Sequence, residues 1–174
     1  MATLQARLAQ GDQAAFAELY DAYADRIGHY LLVRSGSRED AEDALQETFC
    51  RLARMRRKLA KVNDLDAYIL TVARNEATRL AARKARGQRE QELLDVEDLF
   101  CSQPVDAAAR EAAETVTAAL SLLGEELREI VELKTYAGLT FQQISRVTGL
   151  PQGTVATRYR TALAKMQSWL VRQL

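Results

Sequence analysis

Apolar residues recur every three or four positions along most of this 174-residue chain, in segments separated by glycine, proline or short polar breaks. This spacing places apolar side chains on one face of an α-helix, whereas a half-buried strand would alternate at every second residue. The chain has only two prolines and eight glycines, and it is rich in Ala, Leu, Glu, Gln and Arg, which favour helices. We therefore predict an all-α protein.

The clearest apolar pattern lies in the last third of the chain. A first stripe at helical spacing consists of Leu123, Leu127, Ile130, Val131 and Leu133. Gly138 interrupts it, and Thr140 with Gln143 three residues later has the spacing of a capping box, which predicts that a helix begins there. Ile144 and Val147 would then supply the buried face of that helix.

A second helix is predicted directly after this one. Thr148-Gly149-Leu150 indicates a turn, and Pro151 suits a first helical turn because it has no N–H to lose. Its predicted buried face consists of Val155, Tyr159 and Leu163. The other faces would then carry mostly hydrogen-bond donors, namely Gln152, Thr154, Thr157, Arg158, Arg160 and Thr161. This is the helix-turn-helix layout, whose second helix enters the DNA major groove, although the spacing alone leaves open an ordinary pair of packed helices.

The N-terminal half contains further predicted helices. Its first apolar stripe consists of Leu4, Leu8, Phe16, Leu19, Tyr20 and Tyr23. Gly11-Asp12 interrupts this stripe as a break followed by a cap, and Ser37 with Asp40 resembles a second cap. In the helix that starts there, one face is apolar, with Ala41, Leu45, Thr48, Phe49 and Leu52. The opposite face is acidic, with Glu39, Glu42, Asp43, Gln46 and Glu47, and would suit either solvent or a basic partner helix.

A basic block follows that acidic helix. It begins with Arg51, Arg54, Arg56, Arg57, Lys58 and Lys61. After a predicted loop at Val62-Asn63-Asp64, a long helix from about Leu65 carries further cations and one aromatic residue, Tyr68. Cations that track a phosphate backbone beside a side chain that holds an unstacked base are typical of single-stranded or melted DNA sites. The alternative is ordinary surface basicity.

The zero net charge of the chain hides a strong segregation of charge. Residues 1–50 have 4 basic and 9 acidic side chains, whereas residues 51–90 have 12 basic and 4 acidic ones. Residues 91–127 have 1 basic and 9 acidic, and residues 128–174 have 7 basic and 2 acidic. Two positive blocks that alternate with two negative ones favour two nucleic-acid surfaces separated by acidic segments.

The chain lacks the residues that several classes of function would require. Cys50, Cys101 and His29 are too few and too scattered for a structural zinc site, so we expect no metal and no cofactor. No paired carboxylates, nucleophile–base set or glycine-rich phosphate loop indicates an enzyme. No apolar run reaches the roughly 18 residues that a membrane span requires, and residues 1–10 lack the apolar core of a signal peptide, so we expect a cytoplasmic protein without membrane insertion.

Four short segments, in order along almost the whole chain, resemble the bacterial extracytoplasmic-function (ECF) sigma factors. They are Ala15-Phe16, Leu19-Tyr20 and Tyr23; the run from Asp40 to Phe49; Ala67-Tyr68-Ile69 with Val72-Ala73-Arg74-Asn75; and Gly153-Thr154-Val155 followed by Arg158. Some positions depart from the usual pattern, including Gly124 in place of Pro and Tyr68 in place of Trp. Thr161 replaces an Arg, which removes one expected phosphate contact.

The resemblance implies two small helical domains, at residues 1–87 and 109–174, joined by an acidic linker at residues 88–108. The protein would bind RNA polymerase core and direct it to promoter DNA, and an anti-sigma factor is a further candidate partner. The implied polymerase-binding residues are Asp40, Glu42, Asp43, Gln46 and Glu47. Those implied for the minus-ten element are Lys61, Asn63, Asp64, Tyr68, Arg74, Asn75, Arg79 and Arg83. Those implied for the minus-thirty-five element are Gln152, Thr154, Thr157, Arg158 and Arg160.

Two other functions remain open on the sequence. One is a helix-turn-helix regulator that binds an operator without stable polymerase binding. It would have no need of the Asp40 to Phe49 helix or of the basic block. The other is a helical interaction module with no role at DNA, which would leave the alternating charge blocks without a purpose.

Overall fold

The computed structural model describes residues 3–87 and 107–172, and every regular element in these two ranges is an α-helix. The chain divides into two compact units, Met1–Leu94 and Asp95–Leu174. The prediction of an all-α protein made of two helical units is confirmed. Residues 88–106 of the predicted acidic linker lie outside the described residues, so both domain boundaries remain predictions.

The described part of the N-terminal unit, residues 3–87, contains the helices α1 (Leu4–Gln10), α2 (Gln13–Ser35), α3 (Arg38–Arg54), α4 (Arg56–Leu59) and α5 (Leu65–Gly87). Helices α2, α3 and α5 pack on one another, while α1 packs mainly on the short α4. The fully buried side chains between them are large and apolar, and include Leu8, Leu19, Ile27, Leu31, Leu52, Leu59, Ile69 and Leu70. This core fixes α3 and α5, which carry most of the residues predicted to function in this unit.

The starts of α2 and α3 agree with the caps predicted from the sequence. Asp12 accepts hydrogen bonds from the backbone N–H groups of Ala14, at 2.9 Å, and Ala15, at 3.3 Å. Its other carboxylate oxygen accepts from Arg7 at 2.8 Å, and this bond, followed by the cap bonds, holds the pKa of Asp12 below its usual value. Ser37 caps α3 by accepting from the N–H of Asp40 at 3.3 Å.

Tyr20 does not lie in the core as its place in the first stripe predicted. Its side chain is 49% exposed, whereas the neighbouring Leu19 is fully buried. Consecutive residues of a helix point about 100° apart, so only one of this pair can face the centre of the unit. The ring of Tyr20 instead lies against Phe49 of α3, with ring centroids 4.8 Å apart.

The C-terminal unit contains α6 (Ala107–Ser121), α7 (Glu125–Thr135), α8 (Phe141–Thr148) and α9 (Gln152–Leu170), and α9 contacts each of the other three. The capping box at the start of α8 is present as predicted: Gln143 N–H donates to Thr140 Oγ1 at 3.2 Å, and Thr140 N–H donates to Gln143 Oε1 at 3.0 Å. Gly149 ends α8 with a φ of +75°, a conformation that favours glycine. The helix-turn-helix prediction is therefore confirmed.

The buried face of α9 differs in part from the predicted one. Val155 and Ala162 are fully buried, Tyr159 is half-buried, and Leu163 is 43% exposed. The spacing from Val155 to Ala162 is seven residues, which is almost two whole turns, whereas Leu163 lies a further 100° around the helix. The prediction for Leu163 was therefore wrong, because the small Ala162 gave a weaker apolar signal than its neighbour.

Across the two described ranges, no helix combines the length and the apolar character that crossing a membrane requires.

Candidate functional site

The acidic face of α3 is the first predicted interaction surface. Glu42, Asp43 and Gln46 are exposed, and Glu47 is half-buried beside them. Glu42 Oε1 accepts a hydrogen bond from Arg38 Nε at 2.9 Å, one turn earlier on the same helix. Most of the predicted polymerase-binding side chains are therefore available to a partner, because the opposite face of α3 is fixed in the core by Ala44 and Leu52.

Asp40 differs from the other residues predicted for this surface. Its carboxylate forms an ion pair with Lys84 near the end of α5, and only a small part of its side chain is exposed. Lys84 thus crosses from α5 to the first turn of α3. The structure gives Asp40 a contact within the unit, and it separates this residue from the open acidic face.

The predicted minus-ten residues lie on α5 and on the loop before it. Lys61 and Asn63 are exposed in that loop, whereas Asp64 is half-buried and caps α5 by accepting from the N–H of Ala67 at 3.1 Å. A contact between Asp64 and a flipped base would therefore compete with this cap. Tyr68, just inside the helix, is half-buried.

The remaining predicted residues of α5 divide between two faces. Tyr68, Asn75, Arg79 and Arg83 are separated by seven, four and four residues, so they share one side of the helix. That side extends for about 22 Å at a rise of 1.5 Å per residue. Arg74 lies well around the helix from Tyr68 and is half-buried, so the structure does not bring it to the same face.

Glu76 is a residue of this region whose importance the sequence analysis missed. Its side chain is only 5% exposed, and it forms ion pairs with Arg51 of α3 and with Arg79, whose Nη1 lies 3.2 Å from Glu76 Oε1. Glu76 thus holds one of the predicted DNA-binding cations, Arg79. The sequence did contain a signal for this role: Glu76 lies one turn after the apolar Val72 and three residues before Arg79.

Arg26 and Asp66 form a further ion pair, which joins α2 to the first turn of α5. The guanidinium of Arg26 also lies over the ring of Tyr23, with its carbon 5.0 Å from the ring centroid. Burial raises the pKa of the Tyr23 hydroxyl, and the nearby Asp66 carboxylate raises it further. These contacts fix the start of the helix that carries the predicted minus-ten residues.

On α9, the predicted minus-thirty-five residues are not equally accessible. Gln152, Thr157 and Arg160 are exposed, and Thr154 is half-buried. Arg160 remains on the outer surface, with Nη2 at 3.4 Å from Thr157 Oγ1 and Nε donating to the carbonyl of Ala156 at 3.3 Å. These four side chains could meet base edges or phosphates in a groove.

Arg158 faces α7, unlike the outward orientation that the sequence predicted. Its side chain is 29% exposed, and Nη2 lies 2.9 Å from Glu126 Oε2. Glu126 is in the first turn of α7, where a carboxylate interacts favourably with the helix dipole, and it is 74% exposed. Arg158 would have to leave or share this carboxylate in order to contact DNA.

Two family models match the chain, one in each unit. The model described as Sigma-70 region 2 matches residues 19–87, and the model described as Sigma-70, region 4 matches residues 113–166. The first range contains the acidic face of α3 and all the predicted minus-ten residues. The second contains α8, the turn and most of α9, including all the predicted minus-thirty-five residues.

Several characterised proteins are similar to this chain over most of its length. The ECF RNA polymerase sigma factor SigK of Mycobacterium tuberculosis H37Rv is 33% identical over 171 residues, which cover 94% of this chain and 90% of SigK. RpoE of Cereibacter sphaeroides, with the same description, is 28% identical over 90% of this chain and 86% of its own length. BldN of Streptomyces coelicolor is 30% identical over 92% of this chain, which spans 62% of BldN.

Two solved structures share the fold. CnrH in complex with the cytosolic domain of CnrY aligns with a TM-score of 0.73 and 22% identity, over 98% of this chain and 97% of that one. RpoE in complex with the anti-sigma factor NepR from Bartonella quintana aligns with a TM-score of 0.69 and 19% identity, over 89% of this chain and 96% of that one.

Proposed function

Because the chain belongs to the extracytoplasmic-function RNA polymerase sigma factors, we propose that it binds RNA polymerase core through α3 and directs it to promoters through α5 and α9. It acts as a transcription initiation factor without catalytic chemistry of its own, in the cytoplasm with the polymerase. The observation that carries the proposal is the open acidic face of α3 on the same rigid unit as the row of DNA-binding candidates on α5.

The polymerase-binding surface consists of Glu42, Asp43, Gln46 and Glu47. A row of carboxylates and an amide on one exposed helix face is complementary to a basic partner surface, which it would attract over a distance and bind with charge-assisted hydrogen bonds. Helix α3 presents these side chains without loss of packing, since its buried face is separate. Asp40 supports the surface indirectly, by joining the start of α3 to Lys84.

Replacing Asp43 and Gln46 together by alanine should weaken binding to purified RNA polymerase core by about tenfold or more, because these exposed side chains would each lose a contact with the partner. The measurement is the dissociation constant for core, by fluorescence anisotropy of the labelled chain. The matched control is Gln13→Ala with Asp21→Ala, an exposed pair on α2 of the same composition.

The two outcomes separate the candidate functions. Equal affinity of the wild-type chain, the α3 variant and the α2 control for core would remove the α3 face from the docking site. A wild-type chain that does not bind core at all, yet retains specific duplex DNA, would instead favour a helix-turn-helix regulator that acts without polymerase.

We propose that the minus-ten element binds along the face of α5 that carries Tyr68, Asn75, Arg79 and Arg83, together with Lys61 and Asn63 in the preceding loop. Cations along this face would follow the backbone of a melted strand, while the loop would hold an unstacked base. Flipping a base out of the stack costs a few kcal/mol, which is lowest where the duplex is already opening. Asp64 contributes by capping the helix that follows the loop.

The minus-thirty-five element would be bound by α9, through Gln152, Thr154, Thr157 and Arg160. Arg158 would join them only when it leaves or shares the Glu126 carboxylate. Arg158→Ala should weaken binding to a promoter duplex by only about 1 kcal/mol, the lower end for a base-contacting Arg, since Glu126 already balances part of its charge. The measurement is a titration of reconstituted holoenzyme against matched and scrambled minus-thirty-five sequences.

Glu126→Gln is the partner variant for that experiment. It should increase affinity for DNA, because the amide no longer holds Arg158 by an ion pair, and the increase should disappear in the double variant with Arg158→Ala. An increase that persists in the double variant would show that Glu126 acts only by repelling phosphates, and that Arg158 does not move to DNA.

An anti-sigma factor is proposed as a further partner. The similar structure of RpoE contains the anti-sigma factor NepR, and that of CnrH contains the cytosolic domain of CnrY. By analogy, an inhibitory protein would cover surfaces of this chain that polymerase or promoter DNA otherwise occupies.

A further inference from the structure

A second basic surface in the N-terminal unit lies outside the row on α5. It is formed by five exposed cations at the end of α3, on α4 and in the turn that follows, and we call it the α4 basic cluster: Arg54, Arg56, Arg57, Lys58 and Lys61. Leu52 and Leu59 are fully buried on either side of its central residues, so its backbone is anchored in the core. The cluster is therefore held in a fixed place on the unit.

These cations differ from most others of the unit in having no acidic partner among the described residues. Arg7, Arg26, Arg51 and Lys84 each form an ion pair with a carboxylate. Within residues 3–87 and 107–172, no carboxylate lies within 4.0 Å of any cation of the α4 basic cluster. Five positive charges within eight residues repel one another, and they create a local positive potential that attracts anions.

Arg56 also has a packing role. Its side chain covers Gly11 at the end of α1, where a Cβ added to the glycine would meet Arg56 Nε at 3.3 Å. Gly11 also has a φ of +84°, so a larger residue would be strained there for two reasons. The guanidinium thereby lies at the C-terminal end of α1, where the helix dipole favours a cation. For Arg54, Arg57 and Lys58, the described part of the chain offers no ion pair or hydrogen bond to the side chain.

The composition of the cluster indicates which part of a nucleic acid it fits. Between Arg54 and Lys61 there is no aromatic side chain to stack on a base and no Asn or Gln to contact a base edge. Arg and Lys side chains in such a setting contact phosphates, which are the same at every position of a strand. Lys61 also belongs to the proposed minus-ten surface, so the two surfaces are continuous along the chain.

We propose that the α4 basic cluster binds backbone phosphates of the promoter next to the minus-ten element, independently of base sequence. This inference rests on the proposed function, because it extends the DNA surface of the same unit. The cluster adds affinity and salt dependence to promoter binding, while the choice of sequence stays with α5 and α9.

The test uses two double variants. The α4 variant carries Arg57→Gln and Lys58→Gln together, and the control variant carries Lys165→Gln and Arg172→Gln together. All four residues are exposed, and each pair loses one Arg and one Lys. A promoter is first selected from a random-sequence duplex pool by wild-type holoenzyme. The dissociation constants of the three holoenzymes for that promoter are then measured between about 50 and 200 mM salt.

The α4 variant should show a slope of log affinity against log salt that is smaller by about 1.4 to 1.8, since each phosphate contact contributes about 0.7 to 0.9. Over that fourfold range of salt, this amounts to about a 7- to 12-fold smaller loss of affinity than for the wild type. The control should keep the wild-type slope, and selection with the α4 variant should return the same promoter sequence.

Three results would overturn the inference. An unchanged slope means that no phosphate is contacted, and a changed base preference means that bases are contacted instead. Weaker binding to core with an unchanged DNA slope would assign the cluster to an acidic surface of the polymerase. Failure of the wild-type holoenzyme to select any promoter counts separately, against the proposed function itself.

Discussion

Replacing Ile144 by alanine is expected to lower the free energy of unfolding of the C-terminal unit by about 3 to 4 kcal/mol. Ile144 is fully buried on α8, a short helix that is capped at both ends and packs on α9. Removal of its outer carbons leaves a cavity that the surrounding helices cannot fill without moving. Urea unfolding followed by the fluorescence of Trp169, the only tryptophan of the chain, measures this change.

The matched control for Ile144→Ala is Leu163→Ala. Both changes shorten an aliphatic side chain of the helix-turn-helix. Because Leu163 is partly exposed, Leu163→Ala should change the free energy of unfolding by no more than about 0.5 kcal/mol. Equal destabilisation by the two variants would contradict the burial described for α8 and α9. The Ile144 variant should also lose binding to the minus-thirty-five element while it keeps affinity for polymerase core.

The second large effect is expected at the buried carboxylate of the N-terminal unit. Replacing Arg51 and Arg79 together by methionine should lower its free energy of unfolding by about 3 kcal/mol, because Glu76 would remain buried without a cation. Each single variant should cost less, since the other cation stays. Far-UV circular dichroism measures the loss of helix in both units. Trp169 lies in the C-terminal unit, so the transition of the N-terminal unit is the one during which Trp169 fluorescence does not change.

Adding Glu76→Gln to that double variant provides the rescue. The amide keeps the shape of the side chain and removes the stranded charge, so most of the lost stability should return. Arg38→Met serves as the control, since it breaks an exposed pair with Glu42 that is worth about 0.5 kcal/mol. If the rescue variant is as unstable as the double variant, the uncompensated charge of Glu76 is not the cause of the lost stability.

Features that depend on neighbours in sequence were predictable. The caps at Asp12 and Ser37 and the capping box at Thr140 each involve partners two or three residues away, and all three are present. Helical spacing also located the apolar stripes of α3 and α7, because one face of each is buried against the rest of its unit. The local pattern was therefore sufficient for the fold class and for the turn between α8 and α9.

Features that depend on partners far along the chain were not predictable. The contacts of Arg158 with Glu126, of Asp40 with Lys84 and of Arg51 with Glu76 each join two helices. A sequence shows that such residues are charged, but only the packing of the helices decides which of them pair. The candidate residues lie on α3, α5 and α9 and in the loop before α5, and their roles there stay predictions, while the orientation of individual side chains required the structure.

The two ion pairs between α3 and α5 have a mechanical consequence. Asp40 and Arg51 are about 16 Å apart along α3, and Lys84 and Glu76 are about 12 Å apart along α5. Together with the buried core that already fixes both helices, two well-separated links oppose both rotation and sliding of one helix against the other. The proposed polymerase-binding face of α3 and the proposed minus-ten face of α5 would therefore move together as one body.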